Sequence, residues 1–257
     1  MLVSAVNLSE GRDDEQLMSI VVAGGDDVLD VHRDRHHHRA VVTLAGPDAV
    51  RAVTARAVEL LDLRRHEGVH PRFGVVDVVP FVPYPPSTMA DAVAERDRFA
   101  TWLALELGVP AVRYGEGEPT LPEVRRLMAE MTGHPTAGIT AVGARRPLVA
   151  YNVWLAEPDL AAAKRVAAAV RGPHLRALGL PVGDRVQVSM NLVEPGLVGP
   201  ADAYDAVASL VPVAGAELVG LVPQAVLDAV PPQRWDELDL AADRTVEARL
   251  AARRIRP

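Results

Sequence analysis

The segment Arg64–Gly74, RRHEGVHPRFG, separates a helical pattern that ends near Asp62 from an apolar run that begins at Val75. Gly and Pro interrupt the segment, so it is predicted to be a loop between a helix and a strand. Two His, three Arg and one Glu crowd into it. Loops on a rigid scaffold often carry reactive side chains, and histidine can take up and release a proton near neutral pH. A solvated basic loop without a chemical role is the alternative from this segment alone.

The pattern around this loop predicts alternating strands and helices. Before the loop, the predicted strands are 2–6, 28–31 and 40–45, and the predicted helices follow Asp13 and span 50–61. After it, Val75–Val79 is predicted to be a strand. The resulting order is β-α-β-β-α-β, one ferredoxin-like unit. A helix at 90–107, a strand at 111–114 and a helix at 121–131 are predicted to extend it.

The second half of the chain repeats this order. The predicted strands are 148–155, 175–180, 185–191 and 217–221, and the predicted helices are 159–170, 201–210, 224–230 and 245–253. The fold class is therefore α/β (α+β), with two ferredoxin-like βαββαβ subdomains facing each other across a cleft. Gly and Pro cluster between Gly133 and Pro147, which predicts domains at residues 1–144 and 145–257. Clefts between domains are favoured ligand sites.

Composition excludes several classes of protein. The chain has 257 residues and a net charge of -7, so a nucleic-acid partner is not expected. No apolar run approaches the roughly 18 residues of a membrane span, and no membrane partner is expected. The absence of cysteine excludes disulfides, zinc ribbons and thiol catalysis. No basic segment followed by a cleavage site stands at the start, so a cytoplasmic location is predicted.

Four histidines between two predicted strands raise the question of a metal site: His32, His36, His37 and His38. Consecutive residues of an extended chain point to opposite faces. At most two of the three adjacent histidines would then reach one ion. No metal is predicted.

Five blocks of the chain resemble glutamate formiminotransferases (formimidoyltransferases). Asn7–Arg12, NLSEGR, resembles their N-F-S-E-G-R opening, and Arg65–Pro83 is similar to their R-H-x-G-x-H-P-R-x-G-x-x-D-V-x-P-F-x-P block. Val142–Asn152 resembles T-G-A-R-x-x-L-I-A-F-N. Gln187–Leu192 and Glu217–Pro223 match Q-V-S-T-N-L and x-L-V-G-L-V-P. The blocks stand in the family's order, and the second is long and specific.

The resemblance implies a fold, a reaction and partners. Two α/β subdomains are expected to face each other across a tunnel. The reaction would move a formimino group from N-formiminoglutamate to N5 of tetrahydrofolate, a co-substrate of one-carbon metabolism and histidine degradation, without a metal. A homodimer is implied. The chain is expected to be a stand-alone formiminotransferase without a cyclodeaminase domain.

The resemblance also assigns roles to residues of the histidine loop. His70 matches the second His of the R-H-x-G-x-H-P-R block, which serves as general base and then as general acid. Arg72, Arg65 and Arg145 are expected to bind glutamate carboxylates, because a guanidinium can hold a carboxylate at two points. Surface ion pairs are the alternative for each of them. His66 is expected either to tune His70 or to be a charge at a helix end.

Other polar residues are expected near the same cleft. Asn7, Asn152 and Asn191 each end or follow a strand, and they are expected either to contact substrate or to cap turns. Asp77 lies within an apolar strand and is expected to be a structural carboxylate. The folate is expected to contact Gly138, Thr140 and Gly143.

Three departures from the family pattern leave other functions open. His32 stands where the family has an acidic residue, Gly117–Val142 is shorter than the corresponding folate-contacting segment, and Leu180–Asp184 is abbreviated. One alternative is a family member that acts on another amine or one-carbon donor. The other is a non-catalytic protein that binds a folate-like ligand. The retained histidine block argues against the second.

Overall fold

The structure, a computed structural model, describes residues 1–68 and 72–253. The chain divides into two compact units, unit 1 (residues 1–146) and unit 2 (residues 147–257). Each unit has its own sheet and its own apolar core.

Unit 1 contains six strands and four helices in its described residues. The strands are β1 (Leu2–Leu8), β2 (Val28–Asp34), β3 (Arg39–Ala45), β4 (Val76–Pro83), β5 (Ala111–Gly115) and β6 (Thr140–Ala144). The helices are α1 (Asp14–Val21), α2 (Pro47–Leu60), α3 (Met89–Leu107) and α4 (Leu121–Met128). The strand order in the sheet is β2-β3-β1-β4-β6-β5.

The first four strands form the predicted ferredoxin-like arrangement. The pairs β2–β3, β3–β1 and β1–β4 are antiparallel, while β6 and β5 add to β4 in parallel. Strand β6 is missing from the sequence-based prediction and lies in the segment that was predicted to join the two domains. Its sequence, TAVGA, is short and small, and it is buried throughout, so it shows no alternation.

Helices cover the two faces of this sheet unequally. One face packs against α1, α2 and α3 through buried side chains such as Val6, Val42 and Phe99. On the other face, Val124 and Met128 of α4 form a smaller cluster with residues of β4, β5 and β6. The α4 cluster therefore packs against the part of the sheet formed by β4, β6 and β5.

Unit 2 repeats the same arrangement with four strands. The strands are β7 (Val149–Leu155), β8 (Leu175–Val182), β9 (Arg185–Leu192) and β10 (Val213–Val219). The helices are α5 (Leu160–Val170), α6 (Pro200–Ala208), α7 (Gln224–Asp228) and α8 (Val246–Arg253). The strand order β10-β7-β9-β8 corresponds to β4-β1-β3-β2 of unit 1. The predicted class, a mixed α/β fold with two ferredoxin-like units, is confirmed. Across the described residues, no helix has both the length and the apolar character that a bilayer span requires.

Candidate active site

Two sequence blocks that are far apart along the chain meet at one end of β1. Ser9 follows β1, and its backbone N–H donates to the carbonyl oxygen of Val75 at 2.8 Å. The Ser9 hydroxyl donates to the carbonyl oxygen of Gly74, also at 2.8 Å. Ser9 is buried, so both bonds are shielded from water. The NLSEGR block is thereby fixed against the end of the histidine block.

Glu10 places a buried carboxylate beside this contact. Its Oε1 accepts from the backbone N–H groups of Gly11 at 2.8 Å, Arg12 at 2.7 Å and Asp13 at 2.9 Å. These groups precede α1, where the helix dipole favours negative charge. The same oxygen lies 3.1 Å from Nε2 of His38. Glu10 thus links the start of α1 to the turn between β2 and β3.

His38 and His66 form a stacked pair. Their ring centroids are 4.0 Å apart and the interplanar angle is 14°. Nδ1 of His38 lies 2.9 Å from the carbonyl oxygen of Glu67, and its Nε2 faces Glu10. Both nitrogens of His38 therefore face oxygen atoms. The stack joins the β2–β3 turn to the histidine loop.

His66 contacts the backbone of the turn between β2 and β3. Its Nε2 lies 2.8 Å from the carbonyl oxygen of His38, a contact that requires the proton on Nε2. Burial lowers the pKa of His66, although the hydrogen bond to His38 opposes this effect. Its Nδ1 is buried and has no hydrogen-bond partner in the part of the chain that the structure describes.

Arg72 braces the backbone of the same loop. Its Nη1 donates to the carbonyl oxygen of Gly68 at 2.8 Å, and its Nη2 donates to that of His66 at 2.6 Å. Burial of the guanidinium lowers the pKa of Arg72. These contacts fix the two residues that flank 69–71. His70 lies outside the described residues, so its role as base and acid remains a prediction.

Asn7 and Arg39 form a second polar pair on the sheet. Arg39 donates from Nε at 3.1 Å and from Nη2 at 2.5 Å to Oδ1 of Asn7. Desolvation lowers the pKa of Arg39 to about 10, and the charge of Asp77 opposes the shift. A small concavity is lined by Leu8, Ser9, His37, His38, Arg39, Arg72 and Asp77. In this concavity Arg39 and Arg72 lie next to His38, one of the two stacked histidines.

Asp77 has the structural role that was predicted for it. The pairing of β1 with β4 skips Asp77, because Asn7 faces Val78 while Leu8 faces Val76. Such a bulge re-aims a side chain. Oδ1 of Asp77 accepts from the backbone N–H of Phe73 at 2.9 Å, and Oδ2 pairs with Arg125 of α4. Asp77 thus connects the end of the histidine loop to α4.

The remaining predicted residues of unit 1 lie apart from this cluster or within the packing of the sheet. Arg65 is exposed on a short 3₁₀ turn, and Arg145 donates to the carbonyl oxygen of Arg146 at 2.9 Å. The hydroxyl of Thr140 donates to the carbonyl oxygen of Val76 at 2.8 Å. Thr140 is buried, so its hydroxyl joins β6 to β4.

Gly138 and Gly143 are explained by close packing. Gly138 has a φ of +73°, and a Cβ at this position would meet the carbonyl oxygen of Phe73 at 2.0 Å. A Cβ on Gly143 would meet the ring of Tyr114 at 2.2 Å. Both positions therefore require glycine for the fold of unit 1 itself.

The histidines between β2 and β3 have partners of their own. Nδ1 of His37 lies 2.5 Å from Oδ2 of Asp34. Burial alone would raise the pKa of Asp34, but hydrogen bonds from His37 outweigh it and lower the pKa to about 2. Within residues 1–68 and 72–253, no three His, Asp or Glu side chains are grouped to hold a metal ion.

Unit 2 carries a polar face on β9. Val188, Met190 and Leu192 lie in the core, so Gln187, Ser189 and Asn191 lie on the opposite face of the sheet. Asn191 is exposed. We call this surface, with Asn152 of β7, the amide face of unit 2.

Asn152 and its neighbours show what the sequence analysis missed there. Asn152 is buried, stands opposite Ser189, and donates from Nδ2 to Oε2 of Glu217 at 3.0 Å. Glu217 and Gln187 were not among the predicted site residues. The alternation of polar and apolar residues along β9 was the signal that places Gln187 on this face.

Comparison with known proteins gives the family. Residues 1–130 match the formiminotransferase domain, N-terminal subdomain. The glutamate formimidoyltransferase of Streptococcus pyogenes serotype M1 is 32% identical over 265 residues, which cover 86% of this chain and 88% of the relative. The protein of the same name from Thermoplasma acidophilum is 31% identical, with coverage of 86% and 88%. The chain belongs to the formiminotransferase family.

A longer relative shares the same region. The formimidoyltransferase-cyclodeaminase of Sus scrofa is 33% identical over 273 residues, which cover 87% of this chain but only 50% of that protein. The family that the five sequence blocks indicated is therefore confirmed, and it is a family of transferases.

The chain is shorter than its relatives within the matched region. The match to the Streptococcus protein extends over 265 residues, more than the 257 of the whole chain, yet it uses only 86% of the chain. The relative thus has residues where this chain has none. In the segment 117–142, which was expected to be short, residues 129–139 connect α4 to β6 without a further helix or strand.

Proposed function

We propose that the chain transfers a formimino group from N-formiminoglutamate to N5 of tetrahydrofolate, with His70 as the proton carrier. Two relatives bear the name glutamate formimidoyltransferase, and the match to this chain covers 88% of the length of each. The chain retains the block in which the family carries its catalytic histidine.

The observation that supports this proposal is the set of contacts among residues that precede and follow positions 69–71. Glu10 contacts His38, His38 stacks on His66, and Arg72 holds the backbone of His66 and Gly68. Four side chains from three separate parts of unit 1 thus meet beside the residues that precede and follow 69–71. A solvated loop without a chemical role has no need for buried charges and a desolvated imidazole at its ends.

The chemistry requires one proton carrier. N5 of tetrahydrofolate attacks the amidine carbon and loses a proton to His70. His70 returns this proton to the glutamate nitrogen as the carbon–nitrogen bond breaks, so protons balance over the cycle. Formiminoglutamate is already an electrophile when its amidine is protonated. No metal is therefore required for this step.

The glutamate carboxylates call for cationic partners. Arg65 is exposed and has no ion pair within the described residues, which leaves its guanidinium available for a carboxylate. Arg39 lies deeper and is partly desolvated beside Asn7. We assign carboxylate binding to Arg65, Arg72 and Arg145, and the folate contacts to the region of Gly138, Thr140 and Gly143.

The proposal is tested by incubating the purified chain with N-formiminoglutamate and tetrahydrofolate. Equal amounts of glutamate and 5-formiminotetrahydrofolate are expected, measured by liquid chromatography. Release of glutamate without the folate product would indicate hydrolysis and contradict the proposal.

A second candidate is transfer to an amine other than tetrahydrofolate. The shorter matched region favours it, because a missing patch of wall removes apolar contact area from a ligand. A loss of about 100 Å² weakens binding by about 2.5 kcal/mol, roughly 70-fold. We expect binding of reduced folate that is weak but detectable. Absence of heat in calorimetry at millimolar 5-formyltetrahydrofolate would favour the second candidate.

The assembly and location follow from the family resemblance. We infer a homodimer in the cytoplasm that uses small-molecule substrates. Light scattering after size exclusion measures the mass, and a value of one chain would contradict the dimer.

A further inference from the structure

Gln187 is a buried amide on a sheet face that the helices of unit 2 do not cover. It lies on β9 between Val186 and Val188, whose side chains enter the core. The alternation along the strand places Gln187 on the amide face. Its exposed fraction is only 2%.

The side-chain oxygen of Gln187 lacks a hydrogen-bond partner. Its Oε1 is buried and accepts no hydrogen bond from the residues that the structure describes. Leaving a buried polar atom unsatisfied costs stability, and most such atoms in folded proteins are paired. A methionine of similar length would avoid this cost.

The neighbours of Gln187 include an aromatic ring, an aliphatic side chain and a guanidinium. In the sheet it stands opposite Trp154 of β7 and Leu180 of β8. The guanidinium of Arg185 lies 4.1 Å from the centroid of the Trp154 ring. Ser189 and Asn152 form the next cross-strand pair on the same face. A flat ligand edge that offers hydrogen bonds matches this surrounding better than a compact charge does.

We propose that Gln187 binds the pyrimidinone edge of the reduced pterin ring; this inference rests on the proposed function. A primary amide offers one acceptor and one donor side by side. The 4-oxo and N3–H groups of a pterin offer the complementary pair. The N3–H group of the pterin would thus donate the hydrogen bond that Oε1 of Gln187 does not receive from the described residues.

Other parts of the substrates fit this amide less well. A glutamate carboxylate offers only acceptors and would leave Oε1 unpaired. The amidinium of N-formiminoglutamate offers only donors and would leave the amide N–H groups unused. The pyrimidinone edge uses both sides of the amide.

The test combines stability and binding in two matched variants. Gln187→Met removes the unpaired amide at nearly constant volume. Thr54→Val is the control, because Thr54 of α2 is fully buried and its Oγ1 is also unpartnered within the described residues. We expect both variants to melt about 2 °C or more above the parent, since each loses an unsatisfied buried group.

Only Gln187→Met is expected to lose binding. Calorimetry with 5-formyltetrahydrofolate and with tetrahydropterin should show at least a tenfold weaker affinity for this variant, and no change for Thr54→Val. Binding of p-aminobenzoylglutamate, which lacks the pterin, should be the same in all three proteins. Gln187→Leu repeats the test with a second side chain that cannot form hydrogen bonds.

Two outcomes would overturn the inference. One is unchanged affinity for tetrahydropterin in both Gln187 variants, or absence of tetrahydropterin binding to the parent protein. The other is a loss of p-aminobenzoylglutamate or N-formiminoglutamate binding instead. Failure of the parent protein to transfer the formimino group, with its pterin binding intact, would count against the proposed function and leave this inference standing.

Discussion

The two units each place an asparagine on the equivalent strand of the same fold, β1 or β7, but surround it with different chemistry. Asn7 of β1 stands opposite Val41 of β3, and Asn152 of β7 stands opposite a residue of β9. Arg39 lies two residues before Val41 in unit 1. Gln187 lies two residues before Ser189, the residue opposite Asn152, in unit 2. Arg39 donates two hydrogen bonds to its asparagine, whereas the oxygen of Gln187 has no partner among the described residues.

The two units thus differ in their polar side chains: those gathered in unit 1 are mostly charged or titratable, and those at the amide face are mostly neutral. Unit 1 gathers Glu10, His38, His66, Arg72 and Arg39 at one end of its sheet. The amide face of unit 2 presents side-chain amides and a hydroxyl, with one carboxylate, that of Glu217, hydrogen-bonded to Asn152. Charges and titrating groups suit proton transfer, and neutral amides suit recognition of a ring edge. We therefore expect substitutions in unit 1 to affect turnover and those at the amide face to affect affinity.

The largest expected effect comes from the histidine of unit 1. His70→Ala should reduce the rate of formimino transfer by about 10²- to 10⁴-fold, because general acid–base catalysis contributes about that much. The measurement is glutamate release at saturating substrates. His174→Ala is the control, since His174 lies in unit 2 and pairs with Glu194 at 3.3 Å. Equal turnover of His70→Ala and the parent would refute the assigned mechanism.

The buried ion pair of unit 1 should dominate stability. Asp77→Ala leaves Arg125 without its carboxylate and Phe73 N–H without its acceptor, so we expect a loss of about 3 kcal/mol in the free energy of unfolding. Urea titration measures it. Glu59→Ala, which breaks the exposed contact with Arg56, should cost less than about 0.5 kcal/mol. Similar losses for both variants would contradict this ranking.

The smallest effect concerns acid stability. The pKa of Asp34 is lowered from 3.8 to about 2 in the folded state, so the unfolded state binds more protons between these values. The stabilisation is complete above about pH 4 and is lost as the pH falls toward 2. After allowance for the partial exposure of Asp34, we expect about 1 kcal/mol.

A substitution isolates this contribution. Asp34→Asn should flatten the dependence of unfolding free energy on pH in this window, whereas Asp236→Asn, at an exposed position, should not. An unchanged pH dependence in Asp34→Asn would show that the His37 contact contributes nothing to folding.

Sequence patterns predicted the fold better than the site. Alternation along β9 and helical spacing in α2 specify their elements locally, so these were found. Strand β6 was not, because a short strand buried on both faces has no period. The His37–Asp34 and His38–Glu10 contacts depend on a turn geometry that spacing does not encode. Likewise, alternation gives the face of Gln187 but not its missing partner.

Calorimetric titration of His70→Ala and Gln187→Met with 5-formyltetrahydrofolate, side by side, tests the division between the units most directly. Our account predicts that His70→Ala binds like the parent protein while its transfer activity is lost. It predicts that Gln187→Met binds at least tenfold more weakly while its turnover at saturating folate is retained. The reverse pattern, with binding lost in His70→Ala and kept in Gln187→Met, would contradict it.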